Sequence, residues 1–530
     1  MIQENRTPDN LFHNDQTLVD NGGNVRPPGD QGKCGDTPIT LTAARIDTCY
    51  DTRHGHIDWV NSFNSGQMNG ACNVGIAKNT GCIVPTCNGP VQQCPAYAYV
   101  PNSAPDNLLT PYFQIANEYG FANYMFQTNQ GPSFPAHQFL FGATSLPTPY
   151  PDPKFTWFAA DNVYRDKNDP NQNVGCIGPD SERVPLIDDL GNWPHDGCTP
   201  GSQDSHCIKP CLDHRTLLNV IDTIIPRVTW RYYAHSPADL WEAPAAVQNV
   251  CQPRGGVCDN DEYKTHVIFP TSDDKSPVLT DIENCNPTFK FPSVAWVVPD
   301  GKWSDHAGSD NAQPSGHDGG PSFVAHIVNA VGNSTCAGDN HPNWSNTIIL
   351  VTWDDWGGFY DHVSPSSPDG PGIGYNQGNA GSDKYVYSFR VPLLVVSGYV
   401  KQVTPQGGYV SGPKDGHVCD GTTNYCHDFG SILNFVEYVF GIGGAPLGTI
   451  GDGHSNYADH WAPDAVPTCV SQSVCPYSLS DFFNFNQNLR TFTTITGWKY
   501  PELCFHKPNT TQCWGLTSSD ADPDNDALEE

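Results

Sequence analysis

The sequence predicts a layered α/β fold with a largely parallel central sheet. Several short runs are apolar throughout, as expected for strands that are covered on both faces. Helical patterns lie between them, and SFVAHIVNAVG (322–332) places Phe323, Ile327 and Val331 on one face and ends at Gly332. Strands that alternate with helices favour this fold class, and 530 residues are enough to bury a large core.

The predicted elements follow one another through most of the chain. Strands are predicted at residues 119–127, 228–233, 265–270, 293–300, 346–353 and 391–400, and a second helix at 429–441. Residues 150–215 interrupt this order, because they are rich in Pro, Asp, Asn and Gly and hold four cysteines. We interpret them as a disulfide-pinned insertion in a single domain over 1–515, in which 441–515 is a C-terminal extension packed on the core. Residues 516–530 are expected to form an acidic tail.

The charge balance restricts the partners of the protein. Against 57 Asp and Glu residues there are 26 Lys and Arg residues, a net charge of −31. This argues against nucleic acid and anionic membrane surfaces as partners and fits a secreted protein or one that holds cations. No apolar run approaches the ~18–20 residues of a membrane span, so stable membrane insertion is not expected. No signal peptide is visible, and we expect the leader, together with a first strand, to be missing from this chain.

The cysteines indicate an oxidising compartment. There are 20, and many lie close together, as in the pairs Cys82/Cys87, Cys251/Cys258, Cys419/Cys426, Cys469/Cys475 and Cys504/Cys513. Such pairs predict small disulfide-closed loops in a secreted or periplasmic protein. A zinc site is the alternative for the group Cys198, His206, Cys207 and Cys211, but the CxxC pair that would anchor a zinc ribbon is absent.

The stretch VTWDDWGGFYDHV (351–363) is the first candidate for a functional site. An apolar strand ends in Asp354 and Asp355, and adjacent carboxylates repel each other unless a cation or strong donors compensate. Ligands of open α/β sheets lie at the carboxyl ends of strands, and hard divalent cations prefer oxygen ligands. A solvated turn is the alternative, since Asp and Gly are ordinary turn residues.

Three further polar segments border predicted strands. Glu4 and Asn5 are neighbours near the start of the chain, Ser133 follows the strand 119–127, and Asp305-His306 follows the strand 293–300. If the strands are neighbours in the sheet, these side chains converge on the tandem aspartates.

Together these segments resemble the phosphoesterase family of bacterial phospholipase C, plant non-specific phospholipase C and acid phosphatases, within the alkaline phosphatase superfamily. The resemblance rests on segments that occur in the family's order: QENRTPDNLF (3–12), GPSFPAHQFLFGATS (131–145), TWRYYA (229–234), VVPDGKWSDHAG (297–308), WDDWGGFYDHV (353–363), HDFGSILNFVE (427–437) and LSDFFNF (479–485). It covers nearly the whole chain outside the insertion. The resemblance implies a three-layer α/β/α sandwich of the alkaline phosphatase type.

The resemblance also implies roles for individual residues. Glu4, Asn5, Asp354 and Asp355 would hold one divalent cation, on which Ser133 would sit as the nucleophile. His306 would bind a phosphoryl oxygen or assist the leaving group, and His54, rather than His56, would do similar work. The Asn5 amide would help to stabilise the phosphoryl oxygens.

Several other polar residues are expected to have supporting roles, and for two histidines the sequence leaves the role undecided. Asp305, Asp361 and His362 are expected to support the ligands, the last two by orienting Asp354 or Asp355 or by tying the Gly-Gly turn. His317 competes with His306, and His427 either reaches the site or begins a helix. Two departures from the family pattern are Ala307 in place of Pro and Ala136-His137 in place of Asn-Arg, and the second puts the substrate class in doubt.

These observations predict a secreted, metal-dependent phosphoesterase that forms a phosphoserine on Ser133. The substrate would be a phosphate mono- or diester, either a small molecule or a phospholipid. All-oxygen ligands favour Ca²⁺, Mg²⁺ or Mn²⁺, with zinc or iron left open. The alternative is a catalytically inactive, disulfide-rich scaffold or binding protein that keeps a structural cation site. The sequence does not give the oligomeric state.

Overall fold

The structure is a computed structural model, and it describes most of the chain. The described residues are 1–79, 94–105, 107–147, 157–165, 173–188, 191, 193, 198–222, 224, 228–308, 318–336, 341–365, 386–403, 407–412, 426–441, 458, 479–508 and 510–513.

The described helices are mostly short. They are α1 Pro8–Leu11, α2 Gln16–Asp20, α3 His56–Phe63, α4 Thr110–Glu118, α5 Ser133–Gly142, α6 Leu217–Ile221, α7 Asp261–His266, α8 Pro277–Glu283, α9 Gly320–Gly332, α10 Phe429–Val439 and α11 Leu503–His506. Within the described ranges, no helix combines the length and the apolar character needed to cross a membrane.

The strands are also short. They are β1 Ile2–Gln3, β2 Gln31–Cys34, β3 Thr37–Thr40, β4 Thr42–Ala43, β5 Tyr50–Thr52, β6 Ile76–Asn79, β7 Ala98–Tyr99, β8 Gly120–Ala122, β9 Met125–Phe126, β10 Trp157–Ala159, β11 Val184–Asp188, β12 Cys207–Ile208, β13 Trp230–Tyr233, β14 Pro253–Arg254, β15 Val257–Cys258, β16 Val267–Ile268, β17 Val294–Val297, β18 Ile349–Trp353, β19 Leu393–Val396, β20 Tyr409–Ser411 and β21 His427–Asp428.

A five-stranded mixed sheet organises the centre of the molecule. Its strand order is β1-β18-β19-β8-β20. β1 pairs with β18 in parallel, and so does β20 with β8, whereas β19 runs antiparallel to both β18 and β8. Every residue of β19 is buried, which explains why its sequence, LLVV, is apolar throughout. Helix α4 packs against β8 and β19, and α9 packs against α4.

A second sheet is entirely parallel, with the order β16-β13-β17. The prediction of an α/β protein is therefore confirmed, but the prediction of a mostly parallel central sheet is not, because the five-stranded sheet is mixed. In the five-stranded sheet the reversed strand β19 supplies two antiparallel pairings.

The two predicted helices are present with slightly different ends. α9 begins two residues earlier than predicted, at Gly320-Pro321, because proline is compatible with a helix's first turn. Its predicted apolar face, Phe323, Ile327 and Val331, is buried. α10 begins after Asp428, whose carboxylate accepts a hydrogen bond from the Ser431 backbone amide. The predicted strands all contain strands, each shorter than the apolar run that predicted it.

Disulfides join distant and neighbouring cysteines among the described residues. The predicted pairs Cys251–Cys258 and Cys504–Cys513 are confirmed, whereas Cys82/Cys87, Cys469/Cys475 and Cys419, the predicted partner of Cys426, lie outside the described residues. Cys34–Cys72 and Cys285–Cys336 span longer segments. No cysteine of the described residues is free. This disulfide content fits an oxidising compartment.

The cysteines of the 150–215 segment are paired with one another. Cys176 is bonded to Cys211, and Cys198 to Cys207, so the alternative of a zinc site in this group is wrong. The thiolates that zinc would need are used in disulfide bonds. The described part of this segment forms the antiparallel sheet β10-β11-β12.

Candidate active site

The register between β1 and β18 brings two pairs of polar residues together. Gln3 lies beside Trp353 in this parallel pair, so the residues that follow, Glu4 and Asn5, emerge next to Asp354. The Asn5 backbone amide donates to Asp354 Oδ1 over 3.0 Å, and the Asp354 amide donates to the Gln3 carbonyl over 2.9 Å. The predicted meeting of Glu4 and Asn5 with the tandem aspartates therefore results from the pairing of β1 with β18.

The Gly357-Gly358 turn keeps the backbone close to this pair. Both glycines have positive φ angles, 61° and 72°, which residues with a side chain rarely adopt. A Cβ on Gly357 would lie 2.4 Å from the Asn5 carbonyl oxygen. Asn5 itself has φ of 62°, in the left-handed region that asparagine tolerates better than most residues. The two glycines thus allow the Asn5 turn and the aspartate turn to fit against each other.

Ser133 reaches the same point from the first residue of α5. Its Oγ lies 3.2 Å from Asp355 Oδ2 and 3.5 Å from Glu4 Oε2, and all three side chains are fully buried. The positive end of the α5 dipole is at Ser133, which favours negative charge on or near the serine oxygen. A hydroxyl at this position can lose its proton to a carboxylate.

His137 belongs to the cluster, although in the sequence it stands out only as a departure from the family pattern. It lies one helical turn after Ser133, and its Nε2 is 3.2 Å from Glu4 Oε1 and 3.7 Å from Asp354 Oδ2. The signal in the sequence was the spacing of four residues from Ser133, which places both side chains on one face of a helix.

His54 and His306 approach Asn5 from two other segments, and their orientations are fixed in the same way. His54 Nδ1 faces the Thr52 carbonyl oxygen at 2.7 Å, and His306 Nδ1 faces that of Ala307 at 2.6 Å. Because a carbonyl only accepts, each Nδ1 carries a hydrogen. Each Nε2 is then directed toward Asn5.

The Asn5 amide lies between these imidazoles and the carboxylates. One terminal atom is 3.2 Å from Asp354 Oδ1 and 3.3 Å from Asp355 Oδ2; the other is 3.1 Å from His54 Nε2 and 2.7 Å from His306 Nε2. With nitrogen toward the carboxylates, all four contacts are hydrogen bonds and both imidazoles are protonated. With oxygen toward the carboxylates, three oxygen ligands meet, an arrangement that becomes favourable when a cation lies among them.

The donor set fits a divalent cation. Glu4, Asp354 and Asp355 are fully buried, and burial of several carboxylates together is costly without a compensating positive charge. Within the described part of the chain, Asp354 Oδ2 has no hydrogen-bond partner. Glu4, His137 and Asp354 each offer one ligand atom, and these atoms lie within 4.8 Å of one another. Carboxylate oxygens and an imidazole nitrogen are suitable ligands for such an ion.

Asp305 supports the site through hydrogen bonds from two aromatic side chains. Its Oδ2 accepts hydrogen bonds from the Tyr112 hydroxyl and the Trp353 indole, both over 2.9 Å. This links the His306 loop to the last residue of β18. Burial raises the pKa of the Asp305 carboxyl to about 6, against the opposing charge of Arg6.

Among the described contacts, Asp361 and His362 bond to charged groups other than the tandem aspartates. Asp361 accepts from Arg390 Nε and Nη2 over 2.8 and 2.9 Å, and His362 Nδ1 lies 2.8 Å from Asp9. The positive φ angles of the Gly-Gly turn redirect the chain, so the residues after the turn face another cluster.

Two other histidines that the sequence offered as candidates, His56 and His427, make hydrogen bonds away from Asn5. His56 Nδ1 faces the Gln130 carbonyl at 2.7 Å, so His54 is the histidine that reaches Asn5. His427 lies just before α10, where its Nε2 is 3.2 Å from Ser411 Oγ and 3.3 Å from Asp481. His317 lies outside the described residues.

Comparisons with known proteins agree with the motifs. The sequence model of the Phosphoesterase family matches residues 1–443, which include the whole cluster, and confirms the resemblance. The chain is 27% identical over 171 residues to non-hemolytic phospholipase C of Pseudomonas aeruginosa, covering 29% of this chain and 20% of that protein. It is 31% identical over 124 residues to non-specific phospholipase C6 of Arabidopsis thaliana (22% and 21%), and 30% identical over 125 residues to phospholipase C A of Mycobacterium tuberculosis (21% of each). The matches span about a fifth of the length of these curated relatives.

Proposed function

The chain belongs to the phosphoesterase family, and on that premise we propose that it is a metal-dependent phosphoric ester hydrolase that forms a phosphoserine on Ser133. The observation that carries this proposal is the position of the Ser133 hydroxyl. It lies 3.2 Å from Asp355 and 3.5 Å from Glu4, in a buried cluster that also contains three imidazoles. A serine in that environment can be activated, whereas an exposed serine is a poor nucleophile at neutral pH.

Glu4, Asn5, Asp354, Asp355 and Ser133 are the proposed ligands of one divalent cation. When bound, such an ion lowers the pKa of a coordinated hydroxyl and neutralises phosphoryl charge. Two observations support such an ion: the carboxylates are fully buried, and Asp354 Oδ2 has no hydrogen-bond partner among the described residues.

The first chemical step is attack of Ser133 Oγ on phosphorus. Asp355 Oδ2 accepts the hydroxyl proton, the Oγ–P bond forms, and the bond from phosphorus to the leaving oxygen breaks. When its Nε2 is protonated and contacts the substrate in place of the Asn5 amide, His306 supplies a proton to the leaving oxygen from Nε2. Its Nδ1 is held by the Ala307 carbonyl, so the ring keeps one orientation throughout.

The second step releases Ser133. A water molecule gives a proton to His306 Nε2 and attacks the phosphoserine, the Oγ–P bond breaks, and the proton held by Asp355 returns to the serine. His54, together with the Asn5 amide, stabilises the phosphoryl oxygens, where charge is concentrated in the transition state. His54 is suited to this because its Nδ1 is anchored on the Thr52 carbonyl and its Nε2 faces the cluster.

The finer architecture is part of the same proposal. We assign the core to a three-layer α/β/α sandwich of the alkaline phosphatase type, supported by the fully buried strand β19 and by α4 packed on β8 and β19. A single domain over residues 1–515, interrupted by the 150–215 insertion, is consistent with the disulfides that close that segment on itself.

Phosphate esters of either class, mono- or diester, are the proposed substrates. The phospholipase C names of the relatives favour a phospholipid diester. His137 in place of the family's arginine favours a different contact to the phosphate or its substituent. Secretion, or export to a periplasm, is proposed from the disulfides.

Hydrolysis of p-nitrophenyl phosphate and p-nitrophenyl phosphorylcholine, with and without chelator, tests the activity and compares the two substrate classes. We expect turnover that is lost with chelator and in Ser133→Ala. Ser145→Ala is the matched control, because Ser145 is equally buried and its hydroxyl faces only the Ala159 carbonyl among the hydrogen bonds described.

Mass spectrometry of acid-quenched reactions locates the intermediate. We expect phosphate on the peptide that contains Ser133. Absence of turnover with every divalent metal added would favour the inactive scaffold, and turnover that survives in Ser133→Ala would rule out the phosphoserine route.

A further inference from the structure

We propose that His137 is itself a ligand of the cation, through Nε2, so that the centre has mixed nitrogen and oxygen ligands. This inference rests on the proposed function, because it concerns the same cation. It changes the ligand set that the motifs imply, in which every ligand atom is oxygen.

The first support is the position of the His137 ring. Nε2 lies 3.2 Å from Glu4 Oε1 and 3.7 Å from Asp354 Oδ2. Two ligands of one ion, each about 2.1 Å from it, are separated by about 3 to 4 Å. The three atoms are therefore spaced as ligands of one ion are spaced, and the side chains that carry them are fully buried.

The second support is the partner-less oxygen of Asp354. Asp354 Oδ1 accepts from the backbone amides of Asn5 and Asp355, over 3.0 and 2.7 Å. Oδ2 has no hydrogen-bond partner in the described part of the chain, and it is the oxygen that faces His137. A buried carboxylate oxygen without a donor is costly, and an ion shared with His137 Nε2 removes that cost.

The other side of the ring is arranged as in metal-binding histidines. His137 Nδ1 faces the Tyr232 hydroxyl oxygen at 3.5 Å, and that hydroxyl donates to the Trp241 carbonyl over 2.7 Å. Since the tyrosine proton is used on Trp241, its oxygen is available to accept from Nδ1–H. A histidine that donates from Nδ1 presents the Nε2 lone pair, which is the form that binds a metal.

The rival interpretation is an ion pair. If His137 is protonated on both nitrogens, Nε2–H donates to Glu4 and the ring cannot bind a metal. The two interpretations differ in their effect on metal affinity. Removing a ligand weakens binding, whereas removing a competing positive charge leaves binding unchanged or strengthens it.

A nitrogen ligand also changes which metals are preferred. Imidazole suits Fe²⁺, Zn²⁺ and other late first-row ions, while Ca²⁺ and Mg²⁺ prefer oxygen ligands. We therefore expect a first-row transition metal to be preferred over Ca²⁺ and Mg²⁺.

Calorimetric titration of metal-free protein with Co²⁺, Zn²⁺, Mn²⁺, Mg²⁺ and Ca²⁺ tests this, with wild type, His137→Gln and His326→Gln compared. His326 is the matched control, since it is a buried histidine whose Nε2 bonds the Tyr500 carbonyl. In His137→Gln we expect affinity for Co²⁺ and Zn²⁺ to fall by about 10- to 100-fold, the range seen when a metal site loses a supporting contact, and Mg²⁺ affinity to change far less. His326→Gln should bind like wild type.

Pulsed electron paramagnetic resonance of Mn²⁺-loaded wild type gives a readout that does not depend on a variant folding. Directly bound nitrogen is expected in the spectrum of wild type and not in that of His137→Gln. No bound nitrogen in wild type, or unchanged Co²⁺ affinity in a folded His137→Gln, overturns the inference and leaves the proposed function standing. Wild type that binds no cation at all overturns both.

Discussion

Two buried clusters of acids and histidines lie on either side of the Gly-Gly turn, and they compensate negative charge differently. In the candidate active site, the groups facing Glu4, Asp354 and Asp355 include imidazoles and one amide. In the second cluster, the guanidinium of Arg390 binds Asp361 through two hydrogen bonds.

The second cluster balances its charge from within the chain. Arg390 Nη2 also reaches Asp9 at 3.4 Å, and His362 lies 2.8 Å from the same carboxylate. Burial would raise the pKa of Asp9, but His362 and Arg390 outweigh it and the pKa is lowered. The guanidinium donates its remaining hydrogen bonds to the carbonyls of Asn24 and Asn123. A cluster built in this way stabilises the fold and has no need of an ion from solution, whereas the first cluster has the composition of a binding site.

Asp354→Asn should give the largest effect on function and a small one on stability. Loss of this carboxylate is expected to lower kcat/KM at least about 1,000-fold, on the order of 4 kcal/mol in the activation barrier. Removal of one buried negative charge should leave the unfolding free energy in chelator unchanged or higher. Ester hydrolysis and urea unfolding measure the two quantities, and activity within tenfold of wild type would separate the cation from this cluster.

Asp361→Asn, the same chemical change in the other cluster, should give the opposite pattern. It leaves Arg390 with one carboxylate fewer in a buried setting, which is expected to cost about 3 kcal/mol of unfolding free energy. Below the unfolding temperature, kcat/KM should stay within a few-fold of wild type. If both variants lost stability equally, the distinction between the clusters would be wrong.

Asp305→Asn sharpens the comparison, because Asp305 is a buried carboxyl group that keeps its proton up to about pH 6. Its pKa is raised from 3.8 to about 6, so between these pH values the folded protein holds a proton that the unfolded chain releases. Wild type therefore loses up to about 3 kcal/mol as pH rises through this window, and the variant does not. Urea unfolding of both proteins at about pH 4 and pH 7 measures the difference; a constant gap between them would contradict the prediction.

Gly357→Ala should give the smallest of the four main effects, a cost of about 2 kcal/mol of unfolding free energy from the positive φ angle and the contact with the Asn5 carbonyl. Because that carbonyl belongs to a proposed ligand, metal affinity should fall as well. Gly255→Ala is a control with a similar φ of 61° and no atom within 4 Å of the added methyl group. Equal metal affinity in the two variants would show that the close approach is unimportant.

The sequence predicts those parts of the site that depend on the order of residues within a single segment. An apolar strand that ends in two aspartates, and a polar pair behind the chain's first strand, are enough to predict that Glu4 and Asn5 meet Asp354, once β1 and β18 are neighbours. The helix at 322–332 is predictable for the same reason, because its apolar face repeats with the helical period.

The sequence is less informative where contacts depend on chain direction. Asp361 and His362 follow the tandem aspartates closely, but the positive φ angles of the two glycines direct them to Arg390 and Asp9. His137 is the opposite case, since it belongs to the site although the motif does not indicate this. In the sequence it only replaces the family's arginine, and the three-dimensional position of Glu4 gives it a partner. Long-range disulfides such as Cys285–Cys336 and the reversal of β19 likewise depend on tertiary packing.

The hydrogen bond between Asn5 and Asp354 spans 349 positions of the chain. During synthesis, Glu4 and Asn5 leave the ribosome long before the aspartates do, so the early polypeptide lacks the carboxylates that follow β18. If the proposed ion is bound, its loading waits until β18 has been made and has paired with β1, and the ions available in the compartment where that late pairing happens decide which one the protein receives.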